Sequence, residues 1–305
     1  MPLLCDAHKV GDGVEDRTVE VIMHGRTCVI TGATSGIGQS AAEALAALGG
    51  RIIVVARSKV RGTSTIERLQ TIAPDINHSV YYGDLSRLAD MKRVAAEISS
   101  AEPRIDVLIN NAGALFSSRR MTVDGFECTF ALNHLSYFVL THGLRERLQA
   151  AAPARVVNTA SATHKRSHLN FDDLQYGRGY SGVYAYERSK LCNILFTREL
   201  ARRLAGTGIT ANALHPGLVA SRFGDRSGGL VSPIFWLIKG LFGVSPEVGA
   251  RTMVYLASSP DVASLSGSYF ERCQPVLPAR QAESDGDAKR LWEETEKLTG
   301  IDWDR

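Results

Sequence analysis

The chain has 305 residues, of which 44% are apolar and 22% charged, and its formal net charge is +3. This apolar share is enough for a buried core, which excludes a wholly disordered chain. The small net charge also argues against a nucleic-acid binder, which usually carries a concentrated basic face. The sequence lacks the run of about 18 apolar residues that a membrane-spanning helix needs, and it shows no signal-peptide pattern. We therefore expect a soluble, cytoplasmic protein.

Residues 1–25 show no sustained periodicity and are expected to form an N-terminal leader segment. From Arg26 onward, short β-branched runs alternate with longer helical patterns. The predicted strands are Thr27–Thr31, Arg51–Ala56, Val80–Tyr82, Val107–Asn110, Arg155–Ala160, Thr210–Leu214 and Gly267–Phe270. The predicted helices are Ile37–Leu48, Leu88–Ile98, Phe130–Gln149, Ala185–Leu204 and Pro246–Leu256. The alternation predicts one α/β domain over residues 26–305, a doubly wound parallel sheet of about seven strands with helices on both faces.

A glycine-rich turn connects the first predicted strand to the first predicted helix. Its spacing, Gly32-x-x-x-Gly36-x-Gly38, permits a tight turn and lets the backbone approach a pyrophosphate closely. The N-terminus of the following helix offers free N–H groups to the phosphates. The alternative is a purely structural turn. Its place between strand and helix favours the dinucleotide site of a Rossmann-type sheet, formed by Gly32, Thr34, Ser35, Gly36, Ile37 and Gly38.

The end of the second predicted strand bears on which dinucleotide binds. A carboxylate about 20 residues past the glycines would hold the ribose of NAD, whereas an arginine accommodates the 2′-phosphate of NADP. This chain has Arg57 there, followed by Ser58, and no carboxylate competes. We therefore favour NADP(H) over NAD(H), with a solvated arginine as the alternative.

Three residues form the candidate catalytic group. Tyr186 and Lys190 are four residues apart in a predicted helix, so they lie on one face, where an ammonium favours the phenolate form of a tyrosine. Ser161 ends a predicted central strand, facing the crevice in which doubly wound sheets bind ligands. Its hydroxyl could donate to a substrate carbonyl while Tyr186 delivers the proton.

Several motifs follow one another in a set order over roughly residues 26–303. They are Gly32-x-x-x-Gly36-x-Gly38, Asn110-Asn111-Ala112-Gly113, Asn133, Ser161, Tyr186-x-x-x-Lys190 and Pro216-Gly217. In this order they resemble the short-chain dehydrogenase/reductase family. Asp124-Gly125-Phe126-Glu127, Asn133-His134-Leu135 and the long segment between Ser161 and Tyr186 resemble its retinol dehydrogenase and WW-domain oxidoreductase-like branch.

The resemblance implies reversible, NADP(H)-linked interconversion of an alcohol and a carbonyl. It implies that Tyr186 is the general acid/base, that Lys190 lowers its pKa and holds the nicotinamide ribose, and that Ser161 polarises the carbonyl. Asn133 would support a water relay to Lys190, and Asp84 would contact the adenine. Ser221 stands where relatives usually have a threonine. Further cofactor contacts are implied at Leu85, Asn111, Ala112, Gly113, Pro216, Gly217 and Val219.

Residues 230–244 are apolar on nearly all sides of a helical projection. The resemblance places them in a substrate lid near residues 222–246, which indicates a lipophilic small-molecule substrate: a retinoid-, steroid- or fatty aldehyde- or ketone-like compound. Packing in the core or between subunits is almost as good an explanation. Contact of this segment with a membrane surface and assembly into a homo-oligomer both stay open. So does a different class of function, a non-catalytic NADP-binding sensor or interaction protein with this fold.

The pair His164-x-x-x-His168 has the spacing of metal ligands on a helix. It follows a strand end in a polar stretch without a convincing third ligand. We interpret it as a solvated loop and predict no metal site.

Overall fold

A computed structural model describes residues 23–217 and 245–304. These residues form one eight-stranded sheet in the order β3-β2-β1-β4-β5-β6-β7-β8. Strands β1 to β7 are parallel, and β8 is antiparallel to β7. The strands are β1 Thr27–Thr31, β2 Arg51–Ala56, β3 Ser79–Tyr82, β4 Val107–Asn110, β5 Ala154–Thr159, β6 Ile209–His215, β7 Tyr269–Glu271 and β8 Gln274–Val276.

The central strands are apolar at nearly every position because both faces of the sheet are covered. In β2, Ile53 and Val55 pack into the core cluster on one side of the sheet. Ile52 and Val54 pack into the cluster on the other side. Successive side chains point to opposite faces of a strand, so a strand buried on both faces must be apolar throughout. The predicted doubly wound α/β fold is therefore confirmed.

Helices cover the two faces of the sheet. They are α1 Gly36–Ala47, α2 Lys59–Ile72, α3 Leu88–Ala101, α4 Cys128–Phe130, α5 Ser136–Gly143, α6 Arg145–Ala151, α7 Gly182–Arg203, α8 Pro246–Ser258 and α9 Asp285–Thr299. Short 3₁₀ turns occupy Ala162–Arg166, Phe171–Asp173, Pro260–Val262 and Arg280–Glu283. None of the helices in the described ranges is long and apolar enough to cross a bilayer.

The helix predicted over Phe130–Gln149 is wrong in detail. A π-helical turn, Ala131–Leu135, separates α4 from α5, and the chain turns again at Leu144 before α6. At the end of α5, a Cβ on Gly143 would lie 2.6 Å from Ala95 Cβ, so the glycine lets α5 pack directly against α3.

The order of the strands creates the crevice for a ligand. Strand β1 pairs with β2 on one side and with β4 on the other, so the chain crosses over at this point. Doubly wound sheets bind ligands at such a point, beyond the carboxyl ends of the two strands. The glycine-rich turn after β1 and the Asn110-Asn111-Ala112-Gly113 segment at the end of β4 meet at this point.

The far edge of the sheet ends in β8, whose three residues are all exposed. Pro275 stands in the middle of this strand, opposite Phe270 of β7. Elsewhere, Cys28, Cys128 and Cys192 are free, whereas Cys273 is disulfide-bonded, a linkage that we did not predict.

Candidate active site

The glycine-rich turn adopts the backbone that its sequence predicts. Gly32 and Gly36 have φ values of +69° and +57°, in the left-handed region that favours glycine. A Cβ on Gly38 would lie 2.5 Å from the carbonyl oxygen of Gly32, so a side chain there would push the turn apart. Ser35 precedes α1, and its side chain makes no capping hydrogen bond to the helix. The first N–H groups of α1 are thus left for an anionic ligand, and the turn fits the pyrophosphate of a dinucleotide.

Thr31 and Asn111 connect the loops that follow β1 and β4. The Thr31 hydroxyl oxygen accepts hydrogen bonds from the backbone N–H groups of Asn111 and Ala112, each at 2.9 Å. The Asn111 side-chain amide donates back to the Thr31 carbonyl at 3.0 Å. Asn111 therefore holds the two loops of the crevice together. Thr31 was not among the predicted site residues, although it directly precedes Gly32.

The ends of β2 and β3 lie side by side, which brings the predicted cofactor residues Arg57 and Asp84 to one edge. Arg57 is exposed and makes no hydrogen bond or ion pair with any other residue that the structure describes. Ser58 begins α2, and its hydroxyl accepts from the Arg61 N–H at 3.4 Å. One carboxylate oxygen of Asp84 accepts from both the N–H and the hydroxyl of Ser86. The Leu85 side chain lies in the core, only 5% exposed.

The structure brings Ser161, Tyr186 and Lys190 together beyond the carboxyl end of β5. The Lys190 ammonium is buried and donates to the Thr159 carbonyl at 2.9 Å. Its nitrogen lies 5.4 Å from the centre of the Tyr186 ring. The Ser161 hydroxyl forms a hydrogen bond with Tyr186. A phenol, a hydroxyl and a cation therefore lie close together.

Burial is the main cause of the pKa shifts of Tyr186 and Lys190. Tyr186 is half-buried, and desolvation raises the pKa of its phenol above the ordinary value, while the hydrogen bond with Ser161 acts in the opposite direction. Burial also lowers the pKa of Lys190 from 10.5 to about 7. The predicted lowering of the Tyr186 pKa by Lys190 is not seen, because both groups lose the solvation of their charged forms. In this arrangement Tyr186 is protonated at neutral pH and can act as a proton donor.

Asn133 lies within the π-helical turn. Its side-chain oxygen accepts from the Ala114 N–H at 2.9 Å, and its amide donates to the Ala114 carbonyl at 3.0 Å. The amide also donates to the Ser189 hydroxyl, next to Lys190, at 2.9 Å. A Cβ on Gly113 would lie 3.2 Å from Asn133 Oδ1 and 3.6 Å from Lys190 Nζ, so the three residues meet at one point. Asn133 thus joins the segment after β4 to the helix that carries Tyr186.

Asn193 belongs to the same network and was not predicted. Its side-chain amide donates to the Thr159 carbonyl at 3.1 Å, the group that also accepts from Lys190. Asn193 follows Tyr186 by seven residues and therefore lies on the same face of α7. That spacing could have identified it.

The interpretation of His164 as part of a solvated loop is wrong. Its side chain is fully buried, and both ring nitrogens have backbone partners, whereas His168 is exposed. Sequence could not show this because one of those partners, Ala279, lies 115 residues further along the chain.

The remaining predicted site residues lie at the end of the first described range or beyond it. Pro216 and Gly217 follow β6, and Gly217 has a φ of +85°. Val219, Ser221 and the apolar segment 230–244, together with most of the predicted lid, lie outside the described residues.

Comparisons with known proteins agree with this geometry. The family model for short chain dehydrogenases matches residues 26–228. Human retinol dehydrogenase 13 is 40% identical over 294 residues, which cover 91% of this chain and 86% of that protein. Mouse retinol dehydrogenase 12 is 39% identical and covers 94% and 90%.

Solved structures show the same fold. A chain from Mycobacterium paratuberculosis, described as uncharacterised, is 34% identical, with a TM-score of 0.74 over 92% of this chain and 95% of that one. The NADP active-site complex of RhlG from Pseudomonas aeruginosa is 26% identical, with a TM-score of 0.67 over 86% and 99%. The chain belongs to the short-chain dehydrogenase family. It is an NAD(P)-dependent oxidoreductase that acts on CH–OH and C=O groups and resembles the retinol dehydrogenase branch.

Proposed function

We propose that this protein interconverts an alcohol and a carbonyl on a lipophilic small molecule, with NADP(H) as its preferred cofactor. The observation that carries the proposal is the proximity of Ser161, Tyr186 and Lys190, which the segment after β4 connects to the glycine-rich turn and its uncapped helix. The turn and α1 would hold the pyrophosphate. The nicotinamide, when bound, supplies or accepts the hydride.

The side chains supply the proton and the orientation. In the reducing direction, Tyr186 donates its phenolic proton to the oxygen of the carbonyl, and the Ser161 hydroxyl donates a hydrogen bond to the same oxygen. Lys190, whose nitrogen lies 5.4 Å from the centre of the Tyr186 ring, would hold the nicotinamide ribose and is itself held by the Thr159 carbonyl. Asn133 fixes the backbone around Lys190 through Ala114 and Ser189.

The NADP preference rests on the surroundings of Arg57. This exposed guanidinium has no partner among the described residues, so its donors are available to a phosphate. Lys59 and Arg61 follow in the first turn of α2, and no acidic side chain occurs between Arg57 and Glu67. These three cations, at the end of β2 and the start of α2, would attract a 2′-phosphate, whereas a ribose without it would lack a carboxylate at the end of β2 to hold its hydroxyls.

A lipophilic substrate is supported by two observations. The apolar run at residues 230–244 falls where the family places its substrate lid. The curated relatives that are about 40% identical are named for retinol, an apolar alcohol. We therefore place retinoid-like and other long-chain aldehydes and ketones first among its substrates.

The test measures oxidation of NADPH and of NADH against a panel of apolar aldehydes and ketones, with a small polar ketone for comparison. We expect turnover of the apolar compounds with NADPH and a loss of at least about a hundredfold in Tyr186→Phe. Tyr184→Phe is the matched control, since Tyr184 is 58% exposed on the same helix. Cofactor binding without turnover of any compound would instead favour the non-catalytic sensor.

A further inference from the structure

A buried histidine, His164, connects the segment that carries Ser161 to the C-terminal part of the chain. Ser161 begins the 3₁₀ turn Ala162–Arg166, and its hydroxyl accepts from the Thr163 N–H at 3.3 Å. His164, three residues after Ser161, is fully buried, and its Nδ1 lies 2.6 Å from the Ser161 carbonyl oxygen. Its other nitrogen, Nε2, lies 3.0 Å from the backbone nitrogen of Ala279. The imidazole therefore bridges the serine backbone and a distant part of the chain.

These two contacts define which nitrogen carries the proton. The Ala279 N–H can only donate, so Nε2 must accept and is unprotonated. The hydrogen of a neutral imidazole is then on Nδ1, from which it is donated to the Ser161 carbonyl. The Gln281 side chain adds a second connection, since its amide donates to the carbonyls of His164 and Lys165 at 3.3 and 3.1 Å. The Tyr269 ring packs edge-on against the imidazole, with centroids 5.1 Å apart.

We infer that His164 is a positioning residue for the reaction: it anchors Ser161 to the segment Ala279–Gln281, which follows β8. This inference rests on the role proposed above for Ser161. The serine hydroxyl must point at the substrate oxygen while it stays in contact with Tyr186. Without the imidazole, the Ser161 carbonyl would keep only the His164 backbone N–H at 3.2 Å, and Gln281 alone would connect the segment to the C-terminal part of the chain.

The surroundings keep the imidazole neutral. Burial lowers the pKa of His164, the Ser161 carbonyl acts against this, and the neighbouring Lys165 charge acts with it. On the adjacent strands β6 and β7, the other ionisable groups are His215, Tyr269 and Glu271. A protonated ring would direct an N–H at the Ala279 N–H, so the bridge depends on the neutral form.

Three substitutions separate the two hydrogen bonds. His164→Asn retains a donor near Nδ1 for Ser161 but no acceptor for Ala279. His164→Gln retains an acceptor near Nε2 but no donor for Ser161, and His164→Leu retains neither. We expect kcat to fall at least about tenfold in His164→Leu and less in the other two, with the dissociation constant of NADPH within about twofold of wild type. The matched control is His168→Leu, an exposed histidine four residues further on, with unchanged kcat.

Two further measurements keep the inference testable if a variant fails to fold or the wild type proves inactive. Gln281→Ala, at a partly exposed position, removes the second connection and should also lower kcat more than it changes KM. Nitrogen-15 NMR of the wild-type imidazole should show a protonated Nδ1 and an unprotonated Nε2, a result independent of turnover. The opposite tautomer would overturn the inference, and so would unchanged kcat in both His164→Leu and Gln281→Ala. An inactive wild type with the expected tautomer would instead contradict the proposed function.

Discussion

At the scale of single residues, Lys190 shows how the candidate site departs from what stability alone would favour. Its ammonium is 2% exposed, and the structure gives it one hydrogen-bond acceptor, the Thr159 carbonyl. Two aromatic rings lie within 6 Å of it, those of Tyr137 at 5.9 Å and Tyr186 at 5.4 Å. No carboxylate contributes to its pKa, which burial lowers to about 7. A buried cation with so little compensation costs folding free energy.

We therefore expect Lys190→Met to be more stable than wild type at pH 7 in the absence of cofactor. The unfolded lysine is protonated up to pH 10.5, whereas the folded one loses its proton near 7, so the cost is largest below pH 7 and shrinks as pH rises toward 10.5. We expect a gain of about 1 to 3 kcal/mol, since the Thr159 carbonyl keeps its bond from Asn193. Urea unfolding at pH 7 and 9 measures this. An equal gain in stability at both pH values would show that the buried charge of Lys190 is not its cause. We expect the Lys190→Met variant to be inactive whether or not it is more stable.

Arg57 is the second residue whose role is open to a direct measurement. Replacing it with alanine removes the guanidinium directly after β2 while leaving the Ser58 cap of α2 in place. We expect the KM for NADPH to rise by about 10- to 100-fold, with the KM for NADH nearly unchanged. Arg68→Ala, on an exposed side chain further along α2, serves as the control. An unchanged ratio of the two KM values would show that Arg57 is only a solvated side chain.

At the scale of elements, the π-helical turn that carries Asn133 depends on a buried cap. The Glu127 carboxylate is 1% exposed and accepts from the N–H groups of Thr129 and Phe130 at 2.9 and 2.8 Å. The Tyr180 hydroxyl, from the long segment before α7, donates to the same carboxylate at 3.2 Å. The cap thus links the helix bearing Asn133 to the segment between Ser161 and Tyr186. Glu127, the last residue of the Asp124-Gly125-Phe126-Glu127 motif, therefore stabilises the start of this helix as well as marking the family resemblance.

Glu127→Ala is expected to lower the free energy of unfolding by about 2 to 3 kcal/mol, because charge-assisted hydrogen bonds to two buried N–H groups are lost. It should also lower kcat, since Asn133 lies in the turn that the cap begins. Glu146→Ala gives the control: this residue is also in the first turn of a helix, α6, but its side chain is 81% exposed. Chemical unfolding of the two variants compares the costs. Equal, small losses would contradict a stabilising role for the cap.

At the scale of the whole molecule, the elements that sequence predicts well are those whose pattern is local. Strand β2 matches its prediction because Ile52–Val55 form an apolar run between two arginines. Helix α2 escaped prediction because only Gly62, Thr65 and Leu69 of its residues are buried, too few for a clear periodicity. The π-helical turn was not predicted because one extra residue in a helical turn leaves the apolar pattern of the sequence nearly unchanged.

The residues of the candidate site also fall into two sets, those that a local sequence pattern predicts and those that it does not. Gly32, Ser161, Tyr186 and Lys190 were predicted because each stands in a short motif or at a strand end, and the structure brings the last three together. The side chains that hold them were missed where their partners lie far away in sequence, as His164 and Ala279 do. Burial, which raises the pKa of Tyr186 and lowers that of Lys190, is a property of the folded chain and could not be inferred from spacing.

Buried and half-buried histidines should make the whole fold sensitive to acid. Burial lowers the pKa of five of them, His78, His134, His142, His164 and His215, and that of His134 reaches about 3. Unfolded histidines gain a proton below about pH 6.5, while folded ones resist it, so stability falls as pH falls below 6.5. Each histidine that stays neutral should contribute about 1.4 kcal/mol per pH unit. Urea unfolding at pH 7, 6 and 5 tests this; a constant free energy of unfolding across that range would contradict it.

Pro275 in β8 has a consequence for the behaviour of the protein at high concentration. A terminal strand with free amide groups invites a neighbouring molecule to continue the sheet, the first step toward fibres. Proline has no amide hydrogen to offer, and here it occupies the middle of a strand only three residues long. Sheet extension from this end is therefore blocked by the chain's own covalent structure, and any self-association through this end would have to use side chains rather than a shared backbone ladder.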